Sequence, residues 1–322
     1  MHLATNAAPL WSSGPGFDAE IVTDGGYIWW YVDAISDDGV HGLTMIAFIG
    51  SVFSPYYAWS NWDDPLQHCA INVALYRLDS GAGRWAMTER GAKSVSRDAQ
   101  HFTVGPSALR WENGTLIANI KEITTPIPTL LSGQIKITPN VMTSAQVQLD
   151  AAGKHFWHPL APRARVELSF DSPELAWSGD GYFDSNRGSE PLERAFQSWH
   201  WGRAHRTDDL MLFYDIVARD GAASKLALQI DTNGHVKEMQ SPPTRSLPST
   251  FWRIGRTAWA DAGSKPQVIK TLEDTPFYAR SALSTTLNSQ RTTMMHESLD
   301  LDRLKNPVIR AMLMFRMPRS FF

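Results

Sequence analysis

The chain has 322 residues, more than one small core requires and about right for two domains, with 20% charged and 11% aromatic side chains, including 13 Trp. So much aromatic side chain excludes disorder as a description of the whole and points to thick β cores or a large apolar cavity. A formal charge of −3 with no basic excess excludes a nucleic-acid binder, and a single cysteine, Cys69, excludes an internal disulfide or a cysteine-based metal cluster.

In chain order, the first Lys or Arg is Arg77, which argues against a targeting segment that needs early positive charge. A reducing cytoplasm fits the cysteine usage. Tyr27 to Ile35 reads as a strand, Ser36-Asp37-Asp38-Gly39 as a turn and His41 to Phe48 as the returning strand. The nearly apolar run Leu43 to Phe53 is too short to span a bilayer. Gly81-Ala82-Gly83 sits between two strand-like runs with no helix after it, so it predicts a hairpin connection rather than a dinucleotide loop. Trp111 to Leu116 carries Asn113-Gly114, suited to a type I′ hairpin turn. Arg206 to Asp209 and Asp231 to Gly234 mark further turns, and only the stretch after Asp300, limited by Pro307, looks helical. Short strands at this spacing predict an all-β sandwich or barrel architecture. Trp199-His200-Trp201, Asp208-Asp209 and Leu210 to Phe213 echo Trp29-Trp30-Tyr31, Asp37-Asp38 and Leu43 to Ile46, which suggests two related halves with a seam near Gly188 to Leu192.

No Walker loop, His-Glu-x-x-His or Gly-x-Ser-x-Gly elbow occurs. His155 and His158 are poorly spaced as metal ligands on a strand, and a structural metal needs three or four converging groups. The segments Lys154 to Pro159 and Gly179 to Gly188 hold the chemistry. On strands, His155 and Trp157 share one face, as do Tyr182 and Asp184. With Arg163 to Ser169 as a strand between them, the pairs converge at one barrel mouth: a carboxyl, an imidazole and two aromatic rings. On the residues alone, Asp184 equally fits a turn, Trp157 and Tyr182 core aromatics, and His155 a structural histidine.

Several blocks resemble the carotenoid 1,2-hydratase family: Gly26 to Ala34, Gly42 through Tyr57, Gly179 to Leu192, Trp199 to Ala204 and the closing Phe315 to Arg319. They span nearly the whole chain. That family is similar to a wider group of two lipocalin-like β-barrels that includes Diels–Alderase-like proteins. The wider group carries Asp-His-Asn where this chain has Asp184-Ser185-Asn186, a departure that favours the hydratase branch. The resemblance implies two tandem lipocalin-like antiparallel barrels, residues 1–190 and 191–322, with a short C-terminal helix. It implies cofactor-independent hydration of an acyclic carotenoid such as lycopene or neurosporene, with the essential positions falling on His155, Trp157, Tyr182 and Asp184.

Such chemistry protonates carbon 2 of a trisubstituted alkene, leaves a tertiary cation at carbon 1 and adds water to it. An unperturbed Asp, pKa about 3.9, is mostly ionised at neutral pH, and burial raising it by roughly 3–5 units restores the acid form. The implied roles are Asp184 as general acid, Trp157 and Tyr182 as π-face cation stabilisers, and His155 as the group that orients Asp184 or positions water. Trp30, Tyr56, Tyr57, Trp199 and Trp201 are the substrate-binding candidates. Phe53, Tyr56, Tyr57, Trp59 and Trp62 either line a substrate mouth in peripheral contact with a membrane or pack between the barrels. A cyclase of the wider group and a lipophilic-ligand carrier are the competing functions.

Overall fold

The computed structural model describes residues 1–5, 15–80 and 83–320. Two compact units emerge: one holds Leu192–Ile309, and the other holds most of the preceding chain and the segment from Arg310 onward.

The N-terminal unit is built on eight long strands: β1 Tyr27–Ser36, β2 His41–Ile49, β3 Ala70–Arg77, β4 Gly83–Met87, β5 Thr115–Ile123, β6 Leu130–Val141, β7 His155–Ser172 and β8 Glu174–Gly188. They pair antiparallel in the order β4-β3-β2-β1-β8-β7-β6-β5. Ala86 on β4 bridges to Thr124 just past β5, and Thr125 N donates to Trp85 O (2.9 Å), which curls the sheet back on itself into a barrel. Alternation places Ile28, Trp30, Val32 and Ala34 of β1 inward, with Met45, Val73, Ile135, Val166 and Phe183 in one fully buried apolar cluster. At the Asn113-Gly114 turn both residues have positive φ, 50° and 76°, as a type I′ hairpin requires. β3 and β4 pair across the Gly81 connection, while Gly81 and Ala82 themselves lie outside the described residues.

Two expectations need correction. Arg163 to Ser169 is not a separate strand between the two chemical segments. It is part of β7, which runs unbroken for 18 residues and pairs directly with β8. Asp184 therefore sits within a strand and not in a turn. Pro159 is tolerated because the β7–β8 register shifts between His158 and Ala161, a bulge where a missing N–H costs no ladder bond.

In the C-terminal unit, β9 Phe196–His205, β10 Asp209–Ala218, β11 Ala223–Asp231, β12 Gln267–Asp274, β13 Tyr278–Leu287 and β14 Gln290–Asp300 pair antiparallel in the order β11-β10-β9-β14-β13-β12. Their core face carries Ala204, Met211, Phe213, Leu283 and Met294, and Trp259, from the short strand Thr257–Trp259, joins that cluster. The helical reading after Asp300 holds, split at Pro307 into Leu301–Leu304 and Pro307–Arg316. Asp300 caps the first piece by accepting from Arg303 N. A five-residue helix, Pro55–Trp59, was not expected; Ser54 caps it and Pro55 occupies its first turn.

Candidate active site

The site follows from strand parity and register. On β1, Tyr27, Trp29, Tyr31 and Asp33 face away from the apolar core, because Ile28, Trp30, Val32 and Ala34 face into it. Opposite residues of antiparallel neighbours share a face. Tyr31 pairs with Asp184, Asp33 with Tyr182 and Trp29 with Asn186, while Val32 pairs with the core residue Phe183. On the other side of β8, Trp157 pairs with Asn186 and His155 with Gly188. The four expected residues therefore meet on one face of β7, β8 and β1. That face is the reverse of the core face, not a barrel mouth.

Asp184 is 4% exposed, and Trp157 and Tyr182 are fully buried. Trp157 Nε1 donates to Asp184 Oδ2 at 2.8 Å, and the Tyr182 hydroxyl donates to the same oxygen at 2.8 Å. Burial, followed by the neighbouring Asp184 charge, pushes the Tyr182 phenol well above its ordinary pKa, so it stays a neutral donor. Both aromatic rings are thus fixed beside the carboxyl by their own polar edges.

His155 is fully buried; its Nδ1 lies 2.8 Å from the Tyr27 hydroxyl, and its ring stacks on Tyr27 with centroids 5.8 Å apart. Its Nε2 lies 3.7 Å from Glu190 Oε1. Burial holds the imidazole below its ordinary pKa, while Asp150 and Glu190 pull it upward. A neutral ring that accepts the Tyr27 proton at Nδ1 carries its own proton on Nε2, toward Glu190. Gly188 makes this packing possible: a Cβ there would fall 2.4 Å from Tyr27 Cε1 and 2.7 Å from His155 Nδ1.

Sequence reasoning missed Asp33 and Tyr31. Asp33 is fully buried, and the Tyr31 hydroxyl donates to its Oδ2 at 2.9 Å. Tyr31 also stands edge-on to Tyr182, centroids 6.2 Å apart. Their signal was the alternation of Tyr27, Trp29, Tyr31 and Asp33, but only the β1–β8 register says which face of that alternation meets Asp184.

The substrate-binding candidates scatter. Trp30 faces the core, packs against Phe17 and Phe102, and donates to Pro15 O at 2.7 Å. Tyr57 is buried against Trp62 and His68, and its hydroxyl holds Gly26 O at 2.8 Å. Tyr56 is partly covered by Arg319, 5.7 Å from its ring. Tyr57 and Trp62 are therefore not the exposed residues expected of a mouth; of that group only Trp59, at 51%, is largely exposed. Trp199 and Trp201 are buried in the C-terminal unit, on the face of β9 opposite Ala204 and its core. His155 and His158 pair with Gly188 and Ser185, so they point to opposite faces of β7 and share no ligand. His158 is pushed down to about 3 by burial, then by Arg187.

The C-terminal unit has its own buried polar group, on the core side of its sheet. His200 Nδ1 lies 2.8 Å from Ser298 Oγ, its ring stacks on His296 at 6.1 Å, and His296 Nε2 donates to Thr257 O at 2.8 Å. Burial lowers His296 to about 3 and His200 to about 4, and raises Asp215, opposite His200 in register, to about 6.

Residues 45–321 match the family described as carotenoid hydratase CrtC. The chain is 49% identical over 322 residues to the acyclic carotenoid 1,2-hydratase of Thiocapsa roseopersicina, covering 99% of this chain and 79% of that one. It is 44% identical over 311 residues to the enzyme of the same name from Rubrivivax gelatinosus, covering 95% and 76%. Among solved structures, the crystal structure of an AttH-type protein from Nitrosomonas europaea aligns with a TM-score of 0.61 at 16% identity, covering 91% of this chain and 99% of that one. That likeness concerns the fold.

Proposed function

The chain belongs to the carotenoid hydratase family, and from that premise we propose that it adds water across the terminal C1–C2 double bond of an acyclic carotenoid. The observation that carries the proposal is the buried Asp184 carboxyl, with Trp157 and Tyr182 donating to one of its oxygens. Hydrating an unactivated alkene needs a Brønsted acid strong enough to protonate carbon and a surrounding that tolerates the resulting cation.

Asp184 is the acid. With Oδ2 engaged by two donors, the acid form carries its proton on Oδ1 and delivers it to carbon 2, and the π electrons of the double bond form the new C–H bond. Burial favours the protonated carboxyl, and the two donors favour the carboxylate. The tertiary cation at carbon 1 lies beside the Trp157 and Tyr182 rings, each worth roughly 2 kcal/mol when desolvated. Asp33, diagonal to Asp184 across β1 and β8, adds a second carboxyl at the roughly 7–8 Å typical of such neighbours and stabilises the cation. Water attacks carbon 1, and the proton it sheds restores Asp184, so that the sum is alkene plus water. His155, held by Tyr27, positions that water. No step in this scheme uses a cofactor.

The activity calls for contact with the bilayer in which such a substrate dissolves. The mechanism is tested by Asp184→Asn, which keeps the hydrogen-bond acceptor and removes the transferable proton. A folded variant with turnover reduced by about 100-fold or more supports the assignment, in line with the size of general-acid effects. A folded variant with wild-type turnover removes it.

A further inference from the structure

The C-terminal helix Pro307–Arg316 exposes an apolar stripe. Val308 (69%), Met312 (42%) and Phe315 (80%) are exposed, and their i, i+4, i+7 spacing sets them on one side of the helix. The helix has already buried another apolar side, through Leu313. The stripe is therefore not left over from packing the core.

The segment around it is cationic. Residues 303–322 contain Arg303, Lys305, Arg310, Arg316 and Arg319 and no Asp or Glu, in a chain whose net charge is −3, although Arg303 is paired with Asp300 and Arg319 with the buried Glu89. Averaging over the whole chain hid this run. Arg316 lies over the Trp85 ring at 4.3 Å.

The apolar surface continues beside the helix end. The Thr125 hydroxyl donates to Arg316 O at 2.7 Å, which ties the turn between β5 and β6 to the helix. That turn carries Ile127, 74% exposed, with Ile123 (49%) and Leu130 (43%) at its base. The same turn walls a cavity of about 560 Å3 in the N-terminal unit, also lined by Leu75, Trp85 and Leu175, with Arg77, Arg84 and His41 against a single acid, Glu174. A basic helix with an exposed apolar stripe, next to exposed isoleucines and more arginines, has the composition of an interfacial segment.

We propose that this surface docks the protein on an anionic lipid bilayer, with Val308, Met312, Phe315 and Ile127 entering the headgroup boundary and Lys305, Arg310 and Arg316 supplying the charge that faces lipid phosphates. It deepens the hydratase reading by naming where the enzyme meets the phase that dissolves its substrate, and only the turnover arm of the test rests on that reading.

The test compares the full chain with Val308→Ser/Met312→Ser/Phe315→Ser, three exposed positions outside the Asp184 group. Flotation uses carotenoid-free vesicles of phosphatidylcholine alone or with about one-third phosphatidylglycerol. Wild type should float with the anionic vesicles, at least tenfold less with the zwitterionic ones and less at high salt. The variant should lose at least tenfold of its anionic binding. Turnover of lycopene from anionic vesicles should fall by a similar factor in the variant, while turnover from detergent micelles should match wild type. Equal flotation of variant and wild type overturns the proposal. So does a wild-type dimer in sedimentation that the three substitutions dissociate, because the stripe then serves a second copy of the chain. Absence of turnover in both formats, with flotation as expected, counts against the hydratase reading and leaves the docking surface supported.

Discussion

At the scale of single residues, Asp184, Trp157 and Tyr182 form one hydrogen-bonded unit, and their effects should not add. Tyr182→Phe and Trp157→Phe each remove a donor to the carboxyl, so the double variant should lose less than the product of the single losses. Asp33→Asn should slow turnover about tenfold to a hundredfold, about 1.4–2.7 kcal/mol of barrier, without unfolding the protein. The grouping of these residues was legible because period-two parity put His155 with Trp157 and Tyr182 with Asp184, and the family resemblance is what proposes a role for them. Asp33 was not legible. Its face is set by pairing with a strand about 150 residues away, and the choice of Trp30 over Tyr31 picked the core side of β1.

At the scale of elements, β7 and β8 carry the site, and their register matters more than any loop. At Gly188 on β8, the Tyr27 ring of β1 and the His155 ring of β7 leave no room for a Cβ. Gly188→Ala should push apart Tyr27 and His155, lower stability by about 1–3 kcal/mol as overpacking does, and reduce turnover while Asp184 stays intact. Denaturant unfolding and turnover on the same sample check this, and an unchanged midpoint with full activity would contradict the packing argument. The hairpins at Ser36–Gly39 and Asn113-Gly114 were readable from turn chemistry alone, and the break before the last helix from Pro307. The unbroken run of β7 was not, because Pro159 reads as a strand breaker until the bulge beside it is known.

At the scale of the whole molecule, each unit keeps a neutral histidine buried. His158 and His296 are both held near 3 against an ordinary 6.5, so the unfolded chain binds more protons than the folded one between those values. The stability they contribute is present above about 6.5 and is lost as pH falls. At pH 5 each costs on the order of 2 kcal/mol. Asp215, raised from 3.8 to about 6, works the other way and regains about 1 kcal/mol on the same descent. The melting temperature should therefore drop clearly between pH 7 and pH 5, and His158→Gln should flatten that slope. The all-β architecture was legible at this scale from turn spacing and aromatic content. The basic C-terminal run was not, because a near-neutral total conceals a local excess.

Acid-catalysed addition of water to the end of an acyclic carotenoid leaves a direct chemical signature. The most direct measurement incubates purified protein anaerobically with lycopene or neurosporene in liposomes, in water enriched with heavy oxygen and with no cofactor added. Wild type should form a hydroxylated carotenoid whose mass rises by one labelled water, and Asp184→Asn should not. Unchanged carotenoid from a folded protein, or a product of unaltered mass, would contradict hydration; an isomer of unaltered mass would point to a cyclase.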